Sequence, residues 1–398
     1  MTVVTPTHSS AGRAPDSRRP IYLDHNATAP VDPRVADEVL TYMAYEFGNA
    51  GSRTHSYGQA AKERVIRARR EVASVVGAQP DEMIFTSGAT ESDNLAILGL
   101  MSHGEATGKR HIISTQIEHK AVLEPLEVLA QRGFEVTLVA PTAGGWVRPE
   151  AVAEALRPDT LLVSIMAVNN ETGVIQPIDD IAAVLANHDA FFHVDAAQAF
   201  GKVIEPLRSP RIDLLSISGH KIAAPKGVGA LIARRRGYNR LPIQPLMYGG
   251  GQERGLRPGT LPVALIAGLG LASSLALREA VERRDACQAI KNELLEALSP
   301  LGITINGDPD RTMPSVVNFS IPGVDSEAAI VALKDVAAVS NGSACTSQSY
   351  TPSHVLLAAG IPKEQVAGAL RLSWGVSTGA VPAGEIAAKL RSLMPAPS

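Results

Sequence analysis

The chain has 398 residues and a formal net charge of −3, with 45% hydrophobic and 19% charged residues. This composition is typical of a compact folded protein and argues against a strongly basic nucleic-acid-binding protein. Two cysteines, Cys287 and Cys345, provide neither a metal-binding spacing nor a disulfide framework, and no window holds the roughly 18 uninterrupted apolar residues of a membrane span. We expect a cytoplasmic protein of two domains.

Residues 1–19 are rich in Ser, Thr, Pro and Arg. They contain no apolar stretch long enough for a secretory signal. Their few acidic residues also fit a mitochondrial leader, but Pro6 and Pro15 disfavour the amphipathic helix that such a leader forms. We predict a disordered N-terminal arm that takes no part in the fold.

Between Asp81 and Ile232, short β-branched segments alternate with helical ones. The strand-like segments are EMIFTS, RHIIST, FEVTLVA, TLLVSIMAV, AFFHVDA, LLSIS and GVGALIA. Between some of them lie segments with helix-start signals, such as TESDNLAILGL and RPEAVAEALRP. This alternation predicts an α/β fold with a mainly parallel seven-stranded sheet that is covered on both faces. Ligands bind such sheets at the carboxyl ends of the strands.

The remaining third of the chain predicts a smaller α/β unit. A long helical stretch, roughly Leu261 to Leu298, precedes the strand-like SVVNFSI, the polar segment around Cys345 and further helices. We predict a large domain over residues 20–277 and a small C-terminal domain over residues 278–398. The first residues of the large domain are expected to pack on the small one.

Two polar residues follow buried strands and suggest a cofactor. Lys221 in SISGHK could form a Schiff base if it were desolvated, although a lysine after a strand is usually a solvated surface residue. Asp195 in HVDAAQ ends an apolar strand, where a carboxylate needs a cationic partner. The pyridinium nitrogen of pyridoxal phosphate would be such a partner. Asp195 could equally cap the next helix.

A phosphate-binding turn and a histidine occur in the same context. TSGATES, which includes Ala89 and Thr90, gives a strand, a glycine turn and a helix start, a pattern that binds phosphate but also describes an ordinary turn. His119 in IEHK follows another strand and could stack on an aromatic cofactor or relay protons, or be structural. What favours a site is that all these residues, with Gln198, Ser218 and His220, follow predicted strands.

Eight motifs resemble those of the cysteine desulfurases. They are YLDHNATAP, FTSGATESDNLAI, EHKAVL, VNNETGVIQPI, HVDAAQ, SGHKIAAPKGVGAL, GGGQERGLRPGT and NGSACTSQS, and the resemblance runs from about Ile21 to Thr378. It implies a fold-type I pyridoxal phosphate enzyme of the class V aminotransferase family. It also implies a homodimer with the active site at the subunit interface.

The resemblance implies roles for the cofactor-binding residues. Lys221 would hold pyridoxal 5'-phosphate covalently, Asp195 would pair with its ring nitrogen, and Gln198 would contact its phenolic oxygen. His119 would stack on the ring. The phosphate would be bound by Ala89, Thr90, Ser218 and His220, with Thr260 of one protomer reaching the phosphate held by its partner.

The resemblance likewise implies substrate-binding and catalytic residues. Asn170 and Arg371 would hold the substrate carboxylate, a task suited to the bidentate fork of arginine. Cys345 would attack the sulfur of L-cysteine, take it as a persulfide and leave alanine. Its neighbours are small and polar, which suits a mobile loop better than an inert buried cysteine. We hypothesise that His119 is the base for this thiol, and that Cys287 is structural.

SNGSACTSQSYTPSHVL and the short tail after Trp374 most resemble the desulfurases of bacterial DNA phosphorothioation. The resemblance implies an acceptor protein, such as an iron–sulfur protein of the DNA-modifying machinery, with no membrane association and no direct nucleic-acid binding. The run Arg234 to Arg236 is typical of a solvated turn. The alternative is a general sulfur donor for iron–sulfur clusters or tRNA thiolation.

Other functions remain open at this point. An aminotransferase or a selenocysteine lyase would share the fold, but neither requires the thiol of Cys345. A non-catalytic scaffold subunit would not require intact Lys221, Asp195 and His119. We therefore expect a pyridoxal phosphate-dependent cysteine desulfurase that binds no metal.

Overall fold

A computed structural model describes residues 19–342 and 352–395 of the chain. Its strands are β1 (Ile21–Tyr22), β2 (Met83–Thr86), β3 (His111–Thr115), β4 (Glu135–Val139), β5 (Thr160–Met166), β6 (Phe191–Asp195), β7 (Leu214–Ser218), β8 (Gly229–Ala233), β9 (Thr304–Ile305), β10 (Val316–Ser320), β11 (Ala337–Ala338) and β12 (Ala369–Ser373).

The helices cover both faces of the main sheet and surround the small one. They are α1 (Pro33–Leu40), α2 (Ser56–Val76), α3 (Ala89–Leu98), α4 (Met101–Thr107), α5 (Lys120–Gln131), α6 (Pro149–Ala155), α7 (Ile178–Val184), α8 (Val263–Arg278), α9 (Ala280–Leu298), α10 (Ser326–Leu333), α11 (His354–Ala358), α12 (Lys363–Ala367) and α13 (Ala383–Arg391). Among the described residues, no single helix has the length and apolar content needed to cross a bilayer.

The main sheet has seven strands in the order β2-β8-β7-β6-β5-β3-β4. Strand β8 runs antiparallel to both of its neighbours, and the other pairs are parallel. Every strand predicted between Asp81 and Ile232 is present, so the predicted fold class is confirmed. A large apolar cluster containing Phe192 and Ile217 packs on one face and a second cluster containing Ile112 and Leu214 on the other. Burial on both faces explains why these strands read as continuous apolar runs.

The smaller unit is built on the antiparallel sheet β12-β10-β9. Strand β1, near the start of the described chain, pairs in parallel with β11. Leu23, which follows β1, is fully buried in the apolar cluster of this unit together with Phe319 and Trp374. The beginning of the described chain therefore packs on the smaller unit.

The predicted long helix from Leu261 to Leu298 is instead two helices. α8 ends at Arg278, α9 begins at Ala280, and the two axes are bent by 75°. At the junction, Glu279 accepts hydrogen bonds from Arg34 and Arg283. Ion pairs at this junction tie it to α1, which sequence periodicity cannot reveal. The division into residues 20–277 and 278–398 stays a prediction.

Candidate active site

A cavity of about 480 Å³ opens at the carboxyl ends of the parallel strands. Among the residues that line it are Ala89, Thr90, His119, Asn170, Asp195, Gln198, Ser218, His220, Lys221 and Arg371. These are all of the candidate site residues except Thr260 and Cys345. The fold thus brings into one cavity candidate residues that lie up to 282 positions apart in the sequence, from Ala89 to Arg371.

Lys221 lies at the end of the turn Gly219–Lys221 that follows β7. Its ammonium group donates hydrogen bonds to the carbonyl oxygens of Asn26 and Ala27, the latter at 2.9 Å. The buried strand and the short turn fix the backbone of this lysine at the cavity wall. The side chain is therefore held in place rather than solvated like a surface lysine.

Asp195 ends β6 and is buried at the floor of the cavity. Its carboxylate accepts a hydrogen bond of 2.8 Å from the amide of Ala197, but the ion pairs of the described residues do not include it. Burial, and then the nearby carboxyl of Asp93, raise the pKa of Asp195 to about 7. A cation placed against this carboxylate would lower that pKa again.

Further ionisable groups lie beneath Asp195. His193 bonds through its ring nitrogens to Ser164 and Ser216 at 2.8 and 2.9 Å, and its Nε2 is 3.5 Å from Asp93 Oδ1. Burial lowers the pKa of His193 to about 4 and raises that of Asp93 to about 8. His193 is therefore neutral at pH 7 and Asp93 is largely protonated, so Asp195, with the lower pKa of the two carboxyls, is the more readily ionised of them.

The N-terminus of α3 faces the cavity with its backbone amides. Gly88 caps this helix without a side-chain hydrogen bond, and Ala89 and Thr90 follow it. The first amides of a helix lack intrahelical acceptors and attract anions. A Cβ on Gly229 would lie 2.6 Å from Gly88 Cα, so glycine at position 229 lets β8 approach the turn. This arrangement can bind a phosphate group.

Asn26 connects the two units of the fold at the cavity. Its carbonyl accepts hydrogen bonds from Lys221 and from Gln198 Nε2, and its side-chain amide donates to the carbonyl of Asn170 at 3.0 Å. Arg371 donates to the same Asn170 carbonyl at 3.0 Å and to Asp24 at 2.6 Å. The side chain of Arg371 is thereby fixed at the rim.

Several buried polar atoms here have no hydrogen-bond partner among the described residues. They are Asn26 Oδ1, Gln198 Oε1, Arg371 Nε and both carboxylate oxygens of Asp93. Unsatisfied polar atoms of this kind are rare in folded proteins and often mark the position of a ligand. All five atoms belong to residues that line the cavity.

Two histidines line the cavity in uncharged form. His119 caps α5 by accepting a hydrogen bond of 3.1 Å from the amide of Ala121 at Nδ1. Burial lowers the pKa of His119, and burial followed by the charge of Lys221 lowers that of His220 to about 4. A neutral imidazole can accept a proton, which a proton relay requires.

Cys345 lies outside the described residues, but the two ends of its segment are described. Ser353 donates a hydrogen bond to the buried carboxyl of Glu171, and His354 Nε2 is 3.0 Å from the carbonyl of Glu118. On the other side, a Cβ on Gly342 would lie 3.3 Å from Glu171 Oε2. Glu171 therefore lies against both ends of the segment, and Glu171 and Glu118 adjoin the cavity residues Asn170 and His119.

Thr260 is exposed and does not line the cavity of its own protomer. This position is compatible with a role in a partner's site. Residues that sequence reasoning did not assign are Asn26, Asp24, Asp93 and Glu171. The motif YLDHNATAP contains Asn26 and Asp24, and VNNETGVIQPI contains Glu171. These motifs pointed to the three residues, but the sequence did not indicate what the residues do.

A family model described as aminotransferase class V matches residues 21–380. The chain belongs to the class V aminotransferase family. The cysteine desulfurase IscS of Vibrio cholerae is 47% identical over 359 residues, 89% of this chain and 88% of that protein. Cysteine desulfurases of this family depend on pyridoxal phosphate and act on L-cysteine, and this chain is such an enzyme.

Two solved structures extend the similarity. DndA from Streptomyces lividans is 54% identical, with a TM-score of 0.79, over 88% of this chain and 98% of that one. A structure of SspA in complex with cysteine is 36% identical, with a TM-score of 0.78, over 89% and 98% of the two chains. Both confirm the predicted fold class.

The cavity fits pyridoxal phosphate. The uncapped N-terminus of α3 suits the phosphate, and the buried Asp195 without an ion-pair partner suits a protonated ring nitrogen. Gln198 Oε1, which has no partner among the described residues, is available to the cofactor's polar substituents. When bound, the cofactor supplies an electron sink that the side chains of the protein lack.

Proposed function

We propose that this enzyme transfers the sulfur of L-cysteine to Cys345. The thiolate of Cys345 attacks the sulfur atom of the substrate, and a sulfur–sulfur bond forms as the bond between that sulfur and Cβ breaks. The electron pair of the broken bond remains with the substrate, which takes up a proton and leaves as L-alanine. The enzyme is left with a persulfide, so the step needs no external oxidant or reductant.

The remaining candidate residues bind and orient. Lys221 holds the cofactor, Asp195 holds the charge of its ring nitrogen, and Gln198 and His119 contact the ring. Ala89, Thr90, Ser218 and His220 bind its phosphate. Arg371, whose guanidinium is already fixed by Asp24 and the carbonyl of Asn170, receives the substrate carboxylate.

The observation that carries this proposal is the position of the two ends of the cysteine segment. Both ends contact Glu171, whose neighbour Asn170 lines the cavity together with Lys221, Asp195 and Arg371. Gly342 and Ser353, which flank residues 343–351, thus lie beside the substrate-binding wall. An aminotransferase would not need a thiol at this point.

Alanine formation from L-cysteine tests the proposal. The intact holoenzyme is expected to form alanine, whereas Cys345→Ser and Lys221→Ala are not. Mass spectrometry after one turnover should find the added sulfur on Cys345 and not on Cys287, with Cys287→Ala as the matched control. Alanine formation by Cys345→Ser at the rate of the intact enzyme would instead indicate a direct lyase.

We assign His119 as the base that accepts the proton of the Cys345 thiol. Its imidazole is uncharged because burial lowers its pKa, and His354, at one end of the cysteine segment, is among the groups that influence that pKa. In His119→Gln, persulfide formation should fall by about 10²–10⁴-fold, the usual contribution of a general base. Unchanged persulfide formation in a variant that still binds the cofactor would exclude this role.

We further propose that the enzyme is a homodimer in which Thr260 completes the partner's site. Large apolar side chains are exposed on one protomer, among them Met43, Phe47, Tyr57 and Tyr248, and Phe47 stacks on Tyr57 at 5.4 Å. Aromatic and methionine side chains are enriched at protein–protein interfaces. Sedimentation analysis should give a dimer that Phe47→Lys weakens, whereas a monomeric intact enzyme would contradict the proposal.

The proposed pathway is DNA phosphorothioation. The similarity to DndA, the desulfurase of that modification, supports it, and the similarity to IscS supports the alternative of a general sulfur donor. The chain is expressed in a bacterium that lacks its own phosphorothioation desulfurase. Phosphorothioate dinucleotides should then reappear in digests of that strain's DNA. Restoration of iron–sulfur enzymes in a strain without IscS, and not of phosphorothioates, would favour the alternative.

A further inference from the structure

A second cavity, of about 100 Å³, shares the lining residue Lys221 with the one described above. It is bounded by the residues after β6, by the start of α9 and by the segment after β12. Its charged lining residues are Lys202, Lys221, Arg283 and Arg284. No aspartate or glutamate of the described chain lines it. The volume exceeds the roughly 10–15 Å³ that one water requires, so it can hold several heavy atoms.

Lys202 is the cation of this cavity that has no partner. Within the described parts of the chain its ammonium group makes no hydrogen bond and no ion pair, whereas its backbone amide donates to the carbonyl of Ala199 at 2.9 Å. Burial lowers its pKa to about 8. Its charge also contributes to the lowered pKa values of His25 and His220. The side chain is half-buried, and an ammonium partly removed from water without a counter-charge is costly unless an anion compensates it.

The other cations of the cavity already have partners. Arg283 bonds to Glu279 at 2.7 Å and lies 3.8 Å from Asp32, and Arg284 pairs with Asp285. Lys221 donates to the carbonyls of Asn26 and Ala27. The uncompensated charge of this cavity therefore belongs to Lys202.

The rest of the lining determines what kind of anion fits. Trp374, Met313, Ile222 and small residues such as Ala276 form apolar walls, and Cys287 adds a thiol. A ligand that carries its own ammonium group would meet further cations and no carboxylate. The substrate and product amino acids are therefore disfavoured, and Arg371, the proposed ligand of the substrate carboxylate, does not line this cavity.

We propose that this cavity binds a small anion without a positive charge, held by Lys202 against the apolar wall of Trp374 and Met313. A short-chain carboxylate and an inorganic oxyanion share the required chemistry. Because Lys221 lines both cavities, the anion would lie directly behind the cofactor-binding lysine.

Cys287 provides a local reporter for this site. The chain has two cysteines, so Cys345→Ser leaves Cys287 as the single thiol. Alkylation of Cys287 by iodoacetamide is measured on the cofactor-loaded Cys345→Ser enzyme, with sodium propionate or sodium sulfate and at matched ionic strength. Alkylation should slow by about threefold at an anion concentration of about twice its dissociation constant. The two salts distinguish the organic from the inorganic ligand.

Three variants in the Cys345→Ser background decide the assignment. Lys202→Met should abolish the protection, Lys202→Arg should retain it, and Lys389→Met should retain it because Lys389 is an exposed lysine on α13. Equal protection in Lys202→Met, or none in the parent with either salt, would overturn the proposal. If Cys287 does not react, the rise in Tm caused by the anion is measured instead. This rise should be lost in Lys202→Met and kept in Lys202→Arg and Lys389→Met. An equal rise in Lys202→Met, or none in the parent with either salt, would overturn the proposal.

Discussion

The two cavities that share Lys221 contain opposite kinds of uncompensated charge. In the cofactor cavity, the buried carboxylate of Asp195 belongs to none of the ion pairs among the described residues. In the smaller cavity, the ammonium of Lys202 has no anionic partner in the described part of the chain. A buried charge is stable only when it is paired, so each group indicates the sign of the ligand that completes it. For Asp195 that ligand is the cofactor of the family. For Lys202 it is the small anion that we propose from the charge and shape of the cavity.

The change with the largest expected effect removes the charge of the cofactor cavity. In Asp195→Asn the amide keeps the shape of the carboxylate but cannot stabilise a protonated ring nitrogen. The rate constant kcat for alanine formation should fall by about 10²–10³-fold, as when one preorganised charge-stabilising group is lost. The absorbance spectrum of the bound cofactor should also change.

The same variant tests whether the cavities are independent. Asp195 does not line the smaller cavity, so the propionate protection of Cys287 should be unchanged in Asp195→Asn combined with Cys345→Ser. Loss of that protection would show that the two cavities respond as one site.

Arg371→Lys should have the next largest effect. Lysine keeps the charge but cannot donate in parallel to the substrate carboxylate while also bonding Asp24 and the Asn170 carbonyl. Loss of one hydrogen bond to a charged group costs about 1.5–3 kcal/mol, so kcat/KM for L-cysteine should fall by about 10–150-fold, mainly through KM. Arg391→Lys, on the exposed side of α13, is the matched control. A change confined to kcat would argue against carboxylate binding.

Most of the cofactor cavity could be predicted from the sequence because its residues follow strands. Asp195 ends β6 and Lys221 follows β7, so parallel strands bring them to one edge whatever the details of packing. The seven strands were predictable for a related reason, since burial on both faces makes each of them an apolar run.

The smaller cavity could not be predicted in this way. Lys202 lies after β6, Cys287 on α9 and Trp374 after β12, and only the packing of the two units and the bend at Glu279 bring them together. The periodicity of Leu261 to Leu298 gives no sign of that bend. Asn26 and Glu171 were missed for a similar reason, because their roles depend on contacts with distant segments.

Asp93 also lines the cofactor cavity but is expected to affect stability rather than the charge of the site. Burial raises its pKa to about 8, while an unfolded carboxyl ionises near pH 4. Folding therefore opposes its ionisation, and the cost grows between about pH 4 and pH 8. In Asp93→Asn this cost is absent, so relative to the intact enzyme the variant should gain about 1–3 kcal/mol from pH 5.5 to pH 7.5.

Thermal unfolding of the two holoenzymes at several pH values measures this gain. Glu118, Asp195 and His193 are present in both proteins, so the difference reports Asp93 together with its effect on the pKa values of Glu118 and Asp195. A difference in Tm that stays constant across this range would mean that Asp93 is ionised in the folded enzyme. In that case Asp195 would not be the sole negative charge at the floor of the cavity.

The smallest effect, on anion binding in the smaller cavity, is expected for Arg283→Gln. Comparing it with Lys202→Met distinguishes the contribution of a paired cation from that of an unpaired one. Arg283 is already bonded to Glu279 and partly solvated, so its removal should weaken anion binding by less than about 0.5 kcal/mol, or about twofold. Lys202→Met removes the same charge and should abolish the protection of Cys287. Equal loss in both variants would mean that the anion responds to the summed positive charge of the cavity. Retention in Arg283→Gln together with loss in Lys202→Met would assign binding to the ammonium group of this cavity that has no partner in the described chain, just as Asp195 in the cofactor cavity belongs to none of the described ion pairs.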